Sequence, residues 1–263
     1  MTVFLKSLRD QRRGIIGWSV GIAALVLLES AMWPTVRDMP DLDAFVANYP
    51  EALRKLFDLD NFASGAGFIN AELFSAVLPV LFIIFAVGRG VRLVAGEEEA
   101  GTLDIVLVTP VTPARFLAEQ AAALATSLAA LGVVLWSTAA LCSAAFGLGV
   151  RPLDLAGACL SMVLLGAEFG ALALAVGALT GRRAAAVAVP AVAAVAAYVL
   201  FVAGQLVDAV KGWQPLSPFH QALEGGPIGA GLPGRYLWLV AGAAAVIIAA
   251  APVFTRRDIG AAR

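Results

Sequence analysis

The chain has 263 residues, of which 60% are hydrophobic and 14% are charged, with a mean hydropathy of +0.87. Soluble globular domains carry about 25% charged residues, so this composition excludes an ordinary soluble domain and predicts an all-α integral membrane protein. The formal net charge of −1 says little about orientation, because topology depends on where Lys and Arg fall.

Six apolar segments are long enough to cross a bilayer as helices, and they predict one transmembrane domain over residues 1–263. The predicted spans are residues 14–33, 71–91, 116–146, 155–179, 184–207 and 236–254. Before the first span, VFLKSLRDQRR mixes apolar and basic side chains. At helical spacing this pattern is typical of a short N-terminal interfacial helix, although a simple basic flank fits nearly as well. Before the last span, frequent Pro and Gly over 207–235 favour short broken helices.

The distribution of basic residues predicts the orientation. With six spans, both termini share a side with the loops around Glu97 and Arg182. Of the 18 Lys and Arg residues, twelve fall on that side and six on the other. By the positive-inside rule, this predicts a multi-pass protein of the cell membrane with both termini in the cytoplasm. High Arg and Ala content with few Lys is typical of a bacterial protein from a GC-rich genome.

Several motifs of enzymes and metal proteins are missing. The sequence contains no GxxxxGK[ST], HExxH, CxxC or GxSxG, so it predicts no ATP site of the P-loop type. His220 is the only histidine, which excludes a multi-histidine metal site. A Ser217/His220 dyad would lie in a Pro-rich loop, where hydrogen bonding within the loop is the favoured role of His220. We therefore expect no catalytic residue, metal or cofactor.

The apolar runs contain two cysteines and several glutamates, and the sequence predicts a role for each kind of side chain. Cys142 and Cys159 are expected to be buried thiols rather than a disulfide. Glu168 lies midway along the fourth span, and intramembrane carboxylates are candidates for functional sites. Two interpretations of Glu168 stay open, a protonated hydrogen-bonding group between helices or a residue facing a translocation path. Glu29, Glu72 and Glu119 lie nearer the span ends, where an interfacial position is favoured.

The most conspicuous polar feature is the segment 96–113, GEEEAGTLDIVLVTPVTP, between the second and third spans. Three consecutive glutamates cannot lie unpaired in hydrocarbon, where each ion costs several kcal/mol. Negative charge is favoured at a helix N-terminus, and the prolines Pro110 and Pro113 would stop a helix. The segment therefore predicts either a helix that docks on another protein or a solvated loop with an interfacial helix.

The second span and this segment resemble the corresponding region of type-2 ABC exporter permeases. The residues that carry the resemblance are Pro79, Ala95, Gly96, Glu97, Glu98, Gly101, Thr102, Leu103, Asp104, Pro110 and Val111. Residues 112–115 depart from the family pattern, as does Gln120, which stands where Lys is common.

The resemblance implies the permease subunit of an ATP-driven exporter, which moves a hydrophobic or amphipathic substrate outward and is not itself an enzyme. Segment 96–113 would be a cytoplasmic coupling helix that docks on a separate ATP-binding subunit. The implied docking residues are Glu97, Glu98, Glu99, Gly101, Thr102, Leu103, Asp104 and Pro110. The implied partners are that subunit, a second permease copy (identical or paralogous) and the bilayer, with no nucleic acid. The alternatives are a proton- or ion-coupled secondary transporter that uses Glu168, and a non-transporting membrane module.

Overall fold

The computed structural model is a bundle of long helices. It describes residues 2–40, 59–99 and 112–257, and between them residues 42, 46, 48–50, 54 and 101. Within these residues six helices are long and apolar enough to cross a membrane, and none of the residues forms a β-strand. The six helices are α1 Val3–Arg37, α2 Gly65–Glu99, α3 Pro113–Phe146, α4 Pro152–Thr180, α5 Arg183–Leu206 and α6 Tyr236–Arg256. The predicted all-α membrane fold with six spans is confirmed.

Local sequence signals fix where the helices begin and end. Thr112 caps α3 by accepting a hydrogen bond from the backbone N–H of Arg115 at 3.3 Å, and Pro113 occupies the first turn. Gly147 and Gly181 end α3 and α4 in the left-handed conformation, with φ of 68° and 64°. This conformation suits glycine because it has no Cβ. The turns after α3 and α4 are therefore encoded locally.

The first two spans are longer than their apolar runs. The predicted N-terminal amphipathic segment is helical and continuous with the first span, because α1 runs without interruption from Val3 to Arg37. In α2 the α-helix is interrupted by π-helical segments at Asn70–Val77 and Arg92–Gly96. The second of these lies directly before the three glutamates, which form the last turn of α2.

Helix α4 is the centre of the bundle and packs on α2, α3, α5 and α6. In its most apolar stretch 61% of the residues are buried, against 17% in α1, α5 and α6. Most of the surface of those three helices is therefore not covered by the other described residues. The contact between α2 and α4 is close, because a Cβ at Gly90 would collide with the backbone oxygen of Gly170. Small residues permit this approach of the two backbones.

The connection between α5 and α6 is built of short helices, as predicted. They are Asp208–Lys211, the 3-10 turn Gln214–Leu216 and Pro218–Leu223. The cysteine prediction is also confirmed, since Cys142 and Cys159 are free and buried.

Candidate functional site at the glutamate end of the bundle

One end of the bundle collects the polar residues of several helices. We call it the glutamate end. It comprises the last turn of α2 (Glu97–Glu99), the first turns of α1, the α4–α5 turn at Gly181 and Arg182, and Arg257 just after α6. Three negative charges at a helix C-terminus are unfavourable for the helix dipole, so these carboxylates need partners. Each glutamate finds one on a different part of the bundle.

Glu97 pairs with the beginning of α1. The Nζ atom of Lys6 lies 3.2 Å from Glu97 Oε2. The Lys6 side chain remains 44% exposed and that of Glu97 27%, so water screens this ion pair. Such a pair contributes little free energy of folding, but it connects α1 with the end of α2.

Glu98 pairs with the end of α6. Its Oε1 atom accepts a hydrogen bond from Nη2 of Arg257, and the side chains are 14% and 21% exposed. Nη1 of Arg257 also donates to the carbonyl oxygen of Ala178 in α4 at 2.9 Å. The second carboxylate oxygen, Oε2, is enclosed and has no hydrogen-bond partner among the described residues. One guanidinium group therefore joins the ends of α2, α4 and α6.

Gly181 leaves the space in which this ion pair lies. A Cβ at this position would collide with Nη2 of Arg257 and with the carboxylate of Glu98. Glycine is also favoured there by the positive φ of 64°. The α4–α5 turn is thus shaped around the Glu98–Arg257 pair.

Glu99 caps the helix that follows this turn. Its Oε1 atom accepts a hydrogen bond from the backbone N–H of Arg183 at 3.0 Å, at the N-terminus of α5. A negative charge is favourable at this position because helix N-termini carry unpaired N–H groups and a partial positive charge. Glu99 itself is exposed. The sequence predicted that the glutamates cap or precede a docking helix in segment 96–113, and most of that segment lies outside the described residues; the contact of Glu99 with α5 was not predicted.

The first turns of α1 are fixed to α2 and α3 by polar contacts. Buried Arg89 donates from Nη1 to Gln11 Oε1 at 2.6 Å and from Nη2 to the Gln11 carbonyl at 3.0 Å. The Glu119 carboxylate accepts from the backbone N–H of Phe4 at 3.1 Å and from Arg115 Nε at 3.0 Å. This end of α1 is therefore held against the protein.

The rest of the predicted docking segment lies partly outside the described residues. Thr102, Leu103, Asp104 and Pro110 are not described. Gly101 has a φ of 66° and donates its N–H to the carbonyl of Glu98 at 3.0 Å. Because Gly101 and Thr112 flank it, the undescribed stretch starts and finishes next to the glutamate end.

Glu168 lies where α4 packs on α6. A Cβ at Gly242 of α6 would be 2.6 Å from Glu168 Oε1, so the carboxyl group rests against the α6 backbone. Its Oε2 atom is enclosed and has no hydrogen-bond partner within the described part of the chain. The structure does not bring Glu168 together with the glutamate end.

Ser217 and His220 do not form a dyad. The Ser217 hydroxyl donates to the Ala197 carbonyl at 2.7 Å, and Nε2 of His220 lies 3.2 Å from Oε2 of Glu224. Burial lowers the pKa of His220; the nearby Glu224 opposes that shift and Arg235 adds to it. The prediction that His220 bonds within its loop is confirmed.

Sequence reasoning missed Arg257 and gave Gln120 no role. Gln120 is 2% exposed and binds α1 and α2 together through Ser7 and the Leu93 carbonyl. Arg257 directly follows the last span, where basic residues are common, so the sequence gave only a weak indication of a specific role.

Comparison with known proteins gives one family. The family model described as "Multidrug efflux system permease Rv1217c, C-terminal domain" matches residues 5–255. No curated protein matches the chain.

Proposed function

We propose that this chain, which belongs to the family of the multidrug efflux permease Rv1217c C-terminal domain, is the permease subunit of an ATP-driven exporter. The family and the six apolar helices identify a multi-pass membrane permease of an efflux system, a transporter rather than an enzyme. In our proposal a separate ATP-binding subunit supplies the energy, and a hydrophobic or amphipathic substrate moves outward. A second permease copy, identical or paralogous, completes the exporter.

The proposed orientation puts the glutamate end in the cytoplasm. Basic residues gather there on every helix end, which favours the cytoplasmic side by the positive-inside rule. They include Lys6, Arg89, Arg92, Arg115, Arg182, Arg183, Arg256 and Arg257. An ATPase in a bacterial cytoplasm could reach this end directly.

One observation carries the coupling mechanism. The segment 96–113 begins and finishes at the end of the bundle where contacts of Glu97, Glu98 and Glu99 join α2 to α1, α5 and Arg257, and Arg257 also bonds α4. A protein that pushes on this segment would act on several spans at once. We assign the surface that contacts the ATPase to Gly101, Thr102, Leu103, Asp104 and Pro110, and the three glutamates connect this surface to the bundle.

Charge reversal at Asp104 tests the docking surface. Reversal of Glu97 or Glu98 would also break contacts with Lys6 or Arg257, so it cannot isolate docking. Asp104→Lys should reduce co-purification with the proposed ATP-binding subunit. The matched control is Asp208→Lys, at an exposed position beyond the other end of α5, which should leave co-purification unchanged. Equal recovery of the ATPase with both variants would contradict the docking assignment.

ATP dependence tests the function itself. Proteoliposomes that contain the permease and the ATPase should move a hydrophobic cationic dye only when ATP is present, and an ATPase with an inactivated P-loop lysine should abolish movement. Dye movement without the ATPase would overturn the proposal.

The second candidate function is proton- or ion-coupled transport through Glu168. The enclosed, unpaired Oε2 atom among the described residues is the observation that favours it. Under this alternative a protonophore would stop efflux while ATP remains, and Glu168→Gln would abolish it. Under ATP-driven transport, Glu168→Gln preserves ATP-dependent dye movement.

A further inference from the structure

We propose that Glu98 and Arg257 form an intramolecular clamp that carries the movement of segment 96–113 from α2 to α4 and α6. The inference rests on the proposed function and deepens it. Both residues are then positioning residues of the transport cycle, and neither contacts the ATPase.

The geometry of Arg257 joins three helices through one rigid group. Nη2 bonds the last turn of α2, while Nη1 bonds the Ala178 carbonyl in the last turn of α4 at 2.9 Å. The backbone of Arg257 continues directly from α6. Because a guanidinium is planar and its donors are fixed relative to one another, a shift of Glu98 pulls on both other helix ends.

Glu98 is more buried than its neighbours Glu97 and Glu99. The Glu98 side chain is 14% exposed and that of Glu97 is 27% exposed, whereas Glu99 lies at the surface. A charge-assisted hydrogen bond that is shielded from water is less screened by salt than one at the surface. Glu98 is therefore the strongest mechanical connection of the three and the least available to a partner protein.

The shape of the α4–α5 turn supports the same assignment independently. Gly181 is the residue whose missing Cβ makes room for both members of the pair. The pair is thus built into the packing of α4, α5 and α6, which is the requirement for passing on a displacement.

A charge exchange tests the clamp. Glu98→Arg and Arg257→Glu alone should each lower the amount of dye transported per ATP hydrolysed by about tenfold. The double variant Glu98→Arg/Arg257→Glu should recover much of this ratio, because it restores the ion pair. Recovery is expected to be partial, since a glutamate at 257 cannot donate to the Ala178 carbonyl.

The ratio of transport to hydrolysis separates coupling from folding and docking. Each single variant should still co-purify with the ATPase and still hydrolyse ATP, so the loss lies in coupling. The matched control is Arg256→Glu, the same charge change at the exposed neighbouring position, which should keep the wild-type ratio.

Three results would overturn the clamp: single variants with the wild-type ratio, single variants that no longer bind the ATPase, or a double variant with no recovery. If the wild-type complex shows no ATP-dependent transport, the proposed function fails instead. The thermal stabilities of the wild type, the two single variants and the double variant then decide whether Glu98 and Arg257 form a pair. A pair makes the effects of the two single changes non-additive, and additive effects would contradict it.

Discussion

The Ser7 hydroxyl donates a 2.7 Å hydrogen bond to Gln120 Oε1, although the two residues are 113 positions apart. The amide Nε2 of Gln120 in turn donates to the Leu93 carbonyl at 2.8 Å. Ser7 is 8% exposed and Gln120 is 2% exposed. This small network joins α1, α2 and α3 where the second π-helical segment of α2 changes the helix geometry.

Removing the Gln120 amide should destabilise the bundle. Gln120→Leu leaves the Ser7 hydroxyl and the Leu93 carbonyl without this partner, and an unsatisfied buried polar group costs about 1–3 kcal/mol. Thermal unfolding in lipid nanodiscs measures the loss. The control is Thr126→Val, because Thr126 is exposed and its hydroxyl bonds the Ala122 carbonyl of its own helix. A Gln120→Leu protein as stable as this control would disprove the role of the network.

Arg89 should not tolerate replacement by lysine. Its guanidinium bonds both the side chain and the backbone of Gln11 and lies 5.0 Å above the ring of Phe85. A lysine cannot make the same forked contact, and a hydrogen bond from a charged group contributes about 1.5–3 kcal/mol.

The matched variant for this position is Arg92→Lys, since Arg92 is exposed one turn further along α2. We expect Arg89→Lys to lower the unfolding temperature and to expose the start of α1 to protease, whereas Arg92→Lys does neither. Identical protease patterns for the two proteins would count against the contact between Arg89 and Gln11.

Hydrophobic runs were enough to predict the six spans, but they did not reveal where the helices end. Helix α2 continues to Glu99 even though its last residues are charged. Those charges are satisfied by residues 91, 159 and 84 positions away, namely Lys6, Arg257 and Arg183. Periodicity along one segment carries no information about such distant partners.

For the same reason, the sequence predicted only part of the candidate site. The sequence singled out Glu97, Glu98 and Glu99 as a special polar element next to an apolar run. Their charge suggested contacts with another protein, whereas the structure gives each of them a partner within the chain. Only the tertiary packing of α1, α4, α5 and α6 brings these partners together.

The close approach of α2 and α4 predicts opposite outcomes for two neighbouring glycines. Gly90→Ala places a methyl group against the Gly170 backbone, and overpacking of this kind costs about 1–3 kcal/mol. Gly88→Ala meets no atom within 4 Å and should be neutral or stabilising by up to about 1 kcal/mol, because alanine favours the helix. Unfolding temperatures of the two variants, measured in the same nanodiscs, make the comparison. A stable Gly90→Ala protein would mean that the two helices are further apart.

The sole histidine should make the stability of the connection between α5 and α6 depend on pH. His220 lies in the short helix Pro218–Leu223 with its side chain 12% exposed, and burial lowers its pKa. As the pH falls below about 6.5, the unfolded chain takes up a proton before the folded one does. The contribution of His220 to stability is therefore fully present above that pH and is lost as the pH falls towards the lowered pKa.

His220→Gln should remove this pH dependence, so the difference in unfolding temperature between the variant and the wild type should change between about pH 5 and pH 7. Glu224→Gln gives the complementary test. Glu224 opposes the lowering of the His220 pKa, so its removal should lower that pKa further and extend the loss of stability to lower pH. A wild-type protein that becomes more stable than His220→Gln on acidification would reverse the sign. It would mean that the ion pair with Glu224, at 3.2 Å, outweighs the cost of burying the charge.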